Sequence, residues 1–489
     1  MRPSLAPKGR GCGRWLLAAA LALLAPAVAA HGFGRLYTLP VPVWMYLYGA
    51  AAALLASFAL IAWFAVGGAA AAGPERELTQ AAPLRWARRL RLRALAQGLS
   101  LAALLLAIAS ALVGSRNPYA NFAMTWFWVL LLLGLPYLCA LLGNLEPTLN
   151  PWRGLAALLG RLWPASCAGR WAYPARLGHA PALLALLALA WVELHTQWGP
   201  RGLGLLLLAY SGWTLLGVVA FGAPAWFARG DLLAVWMRLL GALAPLGFAR
   251  PGQVWLRAPG AGLLQLRVAE PALLLFVLLL LAATALDGLR ATAPWAQWFW
   301  VDLYQWLEPW VGKDPVAAYH RMQPLYLLFS SAALLLAPAL YLAIYLLAVA
   351  LAGRLGGGSQ GTAALALRFA PSLLPIALVY HMAHYYPLLL AQGPKILGLL
   401  SDPFGWRWDL FGSRELLRGG WTVAADSIWH TQLALIVGGH IVGVYIAHLE
   451  AFRLFPGRRR AALSQLPMLA LMMAYTAFGL WILAQPLAG

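Results

Sequence analysis

Charge is what this sequence has least of. Only 10% of its 489 residues are Asp, Glu, Lys or Arg, where an ordinary soluble chain carries about a quarter. Acidic residues are the scarcer sign, 15 against 35 Lys and Arg. Cysteine is nearly absent. Cys12, Cys139 and Cys167 form no CxxC pair, which excludes a disulfide scaffold and a cysteine-based metal or redox motif. No Walker loop, Rossmann GxGxxG or GxSxG elbow occurs. The run Gly356-Gly357-Gly358-Ser359 has no following lysine and reads as a flexible turn. Soluble nucleotide-dependent and serine-hydrolase chemistry are thereby set aside.

What is present is apolar sequence. Hydrophobic residues make up 62% and the mean hydropathy is +0.73. Repeated runs of about 20 apolar residues match the thickness of a bilayer core. The chain is therefore expected to be an all-α, polytopic helix bundle of about ten transmembrane helices, following a signal peptide. The expected spans are 43–66, 95–113, 121–143, 180–198, 203–222, 270–287, 323–352, 362–393, 426–452 and 464–487. Residues 1–30 read as the signal peptide. Arg2, Lys8, Arg10 and Arg14 precede the short apolar core Trp15 to Ala25, and Val28-Ala29-Ala30 offers small residues for cleavage. Residues 31–489 are then one transmembrane domain.

The formal charge of +20 sits in short loops. If the mature chain starts outside, the expected inner loops hold 20 Lys and Arg and the outer stretches 10, the bias of cytoplasmic loops. Anionic lipid, not nucleic acid, is the implied partner of these cations. The expected location is the cytoplasmic membrane of a bacterium, multi-pass, with both mature termini extracytoplasmic. The composition leaves the oligomeric state open. Loop 223–269 is expected on the membrane surface. The tryptophan-rich stretch 288–322 reads as an interfacial belt or as a cap over a site.

Histidine gives the functional lead. Five of nine histidines fall in residues 361–452, inside apolar sequence, and ionisable side chains at membrane depth usually face a functional interior. His381 and His384 lie three apart, and Asp426 and His430 four apart, so each pair shares a helix face. Pro371 and Pro375 should kink the helix before the first pair. Gly438-Gly439 beside His440 should let another helix approach closely. With the expected topology His195 and Glu193 fall on the same outer side, as do Asp287 and a mature amino-terminal His31, whose amine and imidazole could chelate one ion. The expected metal ligands are thus His381, His384, His430, His195, His31 and His440, and Asp426 and Glu193 are the candidate general bases. Imidazoles with carboxylates suit a divalent ion such as copper, zinc or iron. Two histidines on facing helices could instead bind b-haem, and a proton path or a packed polar network is the third reading. Tyr380, Tyr385 and Tyr386 read as interface aromatics or as donors to a bound oxyanion.

His31-Gly32-Phe33-Gly34-Arg35, followed by Leu39-Pro40-Val41-Pro42-Val43-Trp44, resembles the opening of bacterial polytopic proteins labelled membrane-bound fenitrothion hydrolases. The resemblance implies a membrane enzyme that cleaves small apolar organophosphate-type esters, with a metal to polarise the phosphoryl oxygen and activate water. The alternative is a membrane protein that transports, delivers or resists copper. A b-haem electron carrier is a further alternative.

Overall fold

The computed structural model describes residues 41–64, 75–81, 90–164, 167–248 and 253–485. The expected signal peptide and His31 lie outside the described residues. Among those residues ten helices are long and apolar enough to cross a membrane. They are α1 (Val43–Ala62), α2 (Leu92–Val113), α3 (Phe122–Leu142), α4 (Ala175–His195), α5 (Pro200–Phe221), α6 (Pro271–Arg290), α7 (Ala317–Gly356), α8 (Thr362–Ser401), α9 (Ala425–Leu454) and α10 (Arg458–Ala484). The expected ten spans are all there, and the molecule is an all-α multi-pass bundle. Three two-residue strands, β1 (Arg76–Glu77), β2 (Leu246–Gly247) and β3 (Trp255–Leu256), add a small antiparallel sheet in the order β1-β3-β2.

Burial separates centre from rim. Two thirds of the apolar window is buried in α3 and α6, and 61% in α8, against 11% in α1 and 22% in α2 and α7. The rim helices leave leucines such as Leu99, Leu328 and Leu336 exposed where lipid would surround them. Helices α8 and α9 pack closely because Gly439 and Gly443 leave room. A Cβ on Gly439 would lie 2.2 Å from Val379 Cγ2, and one on Gly443 would lie 2.9 Å from the Ser372 carbonyl oxygen. Within α8, residues Ala370–Leu373 form a 3-10 turn between two α-helical stretches. Pro371 and Pro375 supply no amide hydrogen to continue the α pattern.

Successive spans alternate in direction. One end of the bundle therefore carries the connections 114–121, 196–199, 291–316 and 402–424, and it holds Trp295, Trp298, Trp306, Trp310, Trp406, Trp408 and Trp421. The other carries the arginine-rich connections. The stretch after Arg290 folds into short helices, Ala293–Gln297, a π-helical turn Trp298–Leu303 and Tyr304–Val311. They bind the start of α7 through a cluster of Phe299, Val311, Ala318 and Met322. Trp306 and Trp310 remain exposed, as interfacial tryptophans are.

Loop 223–269 departs from its expected surface position. Its helix Leu232–Gly241 is buried at every residue but Arg238, because nine of its ten side chains are uncharged and it packs against α3 and α4. Asp231 caps it, accepting from Ala234 N–H at 2.9 Å. Asp231 also accepts from Tyr210 Oη at 2.7 Å and from Asn150 Nδ2 at 2.9 Å, and Trp152 Nε1 donates to Ser211 Oγ at 3.0 Å. Tyr210 and Ser211 are the middle of a 22-residue helix, about 16 Å from either end. Both loop segments thus reach into the bundle, and Leu232–Gly241 brings Trp236 to the histidines of α8.

Candidate acid–base site

Four helices meet near the tryptophan-rich end. Glu193 comes from α4, Asp287 from α6, and His381, His384 and Tyr385 from α8, with Tyr137 of α3 one turn deeper. His384 Nε2 lies 2.9 Å from Asp287 Oδ2. The Tyr385 hydroxyl lies 2.8 Å from the same Asp287 oxygen and 3.0 Å from Glu193 Oε1. One phenol thus bridges two carboxyl groups.

The bridge fixes a hydrogen count. A tyrosine hydroxyl owns one proton and donates once. With both carboxylates ionised, one of its two short contacts would set a lone pair against a carboxylate oxygen. One proton held between the carboxyl groups satisfies both contacts. The protonated carboxyl donates to the Tyr385 oxygen, and Tyr385 donates to the other carboxylate. Asp287 is the better site for the negative charge, since His384 Nε2 can donate to it as well. Glu193 is the exposed member of the set.

His381 is held differently. Its Nδ1 is 2.9 Å from the Tyr137 hydroxyl, whose oxygen also lies 3.2 Å from the His381 carbonyl. Tyr137, Trp236 and Tyr385 surround the ring at centroid distances of 5.7, 5.6 and 4.8 Å. Nε2 takes no hydrogen bond from the described residues, and the ring lines a cavity of about 50 Å³ together with Glu193, Tyr385, Trp128 and Thr284. That volume holds at least one water. A second cavity, of about 320 Å³, shares Leu132 and Leu189 with the first. Its wall is Phe127, Leu184, Leu206, Trp213 and neighbours, and Tyr210 and Trp152 spend their polar atoms on Asp231 and Ser211. Exposed Leu184 and Trp213 border it.

Of the expected site residues, Glu193, His381 and His384 come together. Among the described residues the others do not join them. His430 and Asp426 pair with each other at 3.2 Å on an exposed first turn of α9. His195 stacks on Trp191 and bonds its carbonyl oxygen. His440 is buried with Nδ1 on the Ile436 carbonyl at 2.8 Å, and His448 sits between Phe58 and Phe452. For His430 the reason is rotational. Gln432 Nε2 reaches the Ala383 carbonyl, so the α9 face turned to α8 at this depth is that of Gln432, not His430. Among the described residues no three His, Cys, Asp or Glu side chains are placed to hold one metal ion. Tyr385 stands between the carboxyl groups, and His384 is engaged by Asp287. No step is therefore derived through a metal. Tyr385 and Asp287 join the cluster without any local spacing that singles them out. Their signal was a carboxylate near the end of α6, which shares the highest mean hydropathy of the ten spans, 2.4, with α7.

The fold is that of a multi-pass membrane protein, and a cluster of ionisable side chains lies between its spans. No family model, curated protein or solved structure matches the chain.

Proposed function

We propose that this protein is a membrane hydrolase of small apolar esters, organophosphate triesters included, that uses Glu193 and His381 on a water in the small cavity. The observation that carries the reading is adjacency. A water-sized pocket lined by an imidazole and a carboxyl group shares a wall with a larger, wholly apolar cavity bordered by exposed rim side chains. An apolar ester enters sideways from lipid and seats its hydrocarbon part against Leu206 and Trp213. His381 takes a proton from water, and the water oxygen bonds to the phosphorus or carbonyl carbon. The ester oxygen leaves with a proton supplied through Tyr385 from the Glu193–Asp287 pair. Such acid–base groups contribute about 10²–10⁴-fold each.

The test is cleavage of chromogenic aryl esters and aryl dialkyl phosphates by the protein in liposomes. Glu193→Gln and His381→Ala should each lower kcat by about a hundredfold or more. Wild-type rates in both variants, or no cleavage by the parent, would reject the proposal. The two-to-one excess of cations at the opposite end supports placing the tryptophan-rich end outside a bacterial cytoplasmic membrane.

A second reading, a resident divalent metal, has one observation in its favour: His381 Nε2 and Glu193 line the same cavity. Metal analysis of purified protein beside His381→Ala would test it, and bound metal retained undiminished in the variant would exclude this pocket.

A further inference from the structure

A different cavity, of about 350 Å³, lies at the tryptophan-rich end between the connection 114–121 and the loop after α8. Lys395, Arg407, Arg414 and Arg418 line it together with Asn117 and one acidic residue, Asp402. We propose that it binds an oxyanion of the phosphate class, either the headgroup of an anionic lipid or a free phosphate.

The charges are not cancelled where they converge. Arg418 is paired with Glu415 at 2.7 Å, and Arg414 is shared between Asp402 at 3.8 Å and Glu415 at 3.9 Å. Arg407 and Lys395 have no carboxylate within 4 Å among the described residues, and the Lys395 ammonium sits 5.8 Å from the Tyr119 ring centroid. Asp402 is occupied otherwise. Its carboxylate accepts from the backbone N–H groups of Trp406 and Arg407 at 2.9 and 2.8 Å. Two cations therefore face the cavity with their charge unspent.

The pocket is built, not a chance gathering of surface arginines. Ser115 N–H donates to the Phe404 carbonyl at 2.7 Å and Phe122 N–H to that of Pro403 at 3.1 Å, tying the two connections together. Gly405 has φ +69°, and a Cβ there would lie 2.5 Å from the Ala120 carbonyl oxygen, so the close approach requires glycine. Arg407 adopts φ 69° as well, a left-handed conformation costing about 1 kcal/mol or more for a residue with a side chain. Guanidinium groups suit bidentate contact with phosphate oxygens. Leu397 and Leu400 at the end of α8 and Leu416 and Phe411 on the loop are exposed, which sets the cations where lipid headgroups and their hydrocarbon meet.

The experiment compares the full chain with an Arg407→Gly/Lys395→Gln variant. The glycine relieves the backbone conformation, so the variant should unfold no earlier than the parent. Inorganic phosphate is titrated calorimetrically onto each protein in neutral detergent. Retention of phosphatidylglycerol is read by native mass spectrometry from phosphatidylcholine nanodiscs containing it. The expected result is binding to the parent that weakens about tenfold to a hundredfold in the variant. Phosphatidylglycerol alone would identify a headgroup, and phosphate alone a soluble anion. Binding of neither, or equal binding to both proteins, overturns the proposal.

Discussion

Replacing Tyr385 by Phe removes one oxygen from the centre of the site and little else. The ring keeps its contacts with His381 at 4.8 Å and His384 at 4.6 Å. What is lost is the hydroxyl between Glu193 and Asp287, with contacts of 3.0 and 2.8 Å. Those lengths put the two carboxyl oxygens within about 6 Å of each other. Two full negative charges at that separation would repel by about 3 kcal/mol at an effective dielectric of about 20, which favours one proton staying on the pair. A hydrogen bond to a charged group contributes about 1.5–3 kcal/mol, and exposure of Glu193 reduces its share. Tyr385→Phe should therefore cost about 1–3 kcal/mol of stability in denaturant unfolding of the detergent-solubilised protein. In a Glu193→Gln background no carboxyl proton is shared through the phenol, so the same change should cost at least about 1 kcal/mol less, a coupling that a double-mutant cycle resolves. If Tyr385→Phe is neutral, or if the two substitutions simply add, the phenol does not mediate between the carboxyl groups.

Two further perturbations test the frame around the site. Gly439→Ala places a methyl group against Val379, 2.2 Å from Cγ2, so α8 and α9 must separate and stability should fall by about 1–3 kcal/mol, whereas Gly438→Ala, with nothing within 4 Å, should be near neutral by the same unfolding assay. Asp409 accepts from the Ser401 hydroxyl and from Arg414 N–H, and the Ser401 bond first, then the backbone donors, hold its carboxyl below the usual carboxylate range. A depressed carboxyl stabilises the folded loop above its unfolded pKa and loses that contribution as pH falls through the folded value; the protection of amides in residues 402–424, taken relative to their intrinsic exchange at each pH, should therefore fall on acidification past the ordinary Asp range, and Asp409→Asn should already show reduced protection at neutral pH.

The helices were legible because bilayer thickness imposes a length and composition that sequence displays directly. The break at Pro371 and Pro375 and the close approach at Gly439 were legible for similar reasons, each following from one residue's own geometry. The site was legible only in part. Spacing places His381 and His384 on one face, but it cannot say how α9 is rotated against α8. That rotation leaves His430 outside with Asp426 and puts Gln432 inward. Asp287 and Tyr385 matter because four helices converge on them, and no local pattern encodes such convergence. Leu232–Gly241 reads as a surface segment, since at ten residues it is too short to span. Its burial depends on Asp231 finding Tyr210 and Asn150, partners 21 and 81 residues away.

The central claim is that Glu193 and Asp287 hold one transferable proton through Tyr385. Infrared absorption of the membrane-reconstituted protein measures it directly through the carbonyl stretch of protonated side-chain carboxyl groups. The account predicts such a band in the parent and its loss or displacement in Glu193→Gln and in Asp287→Asn. A spectrum that neither substitution changes would contradict it.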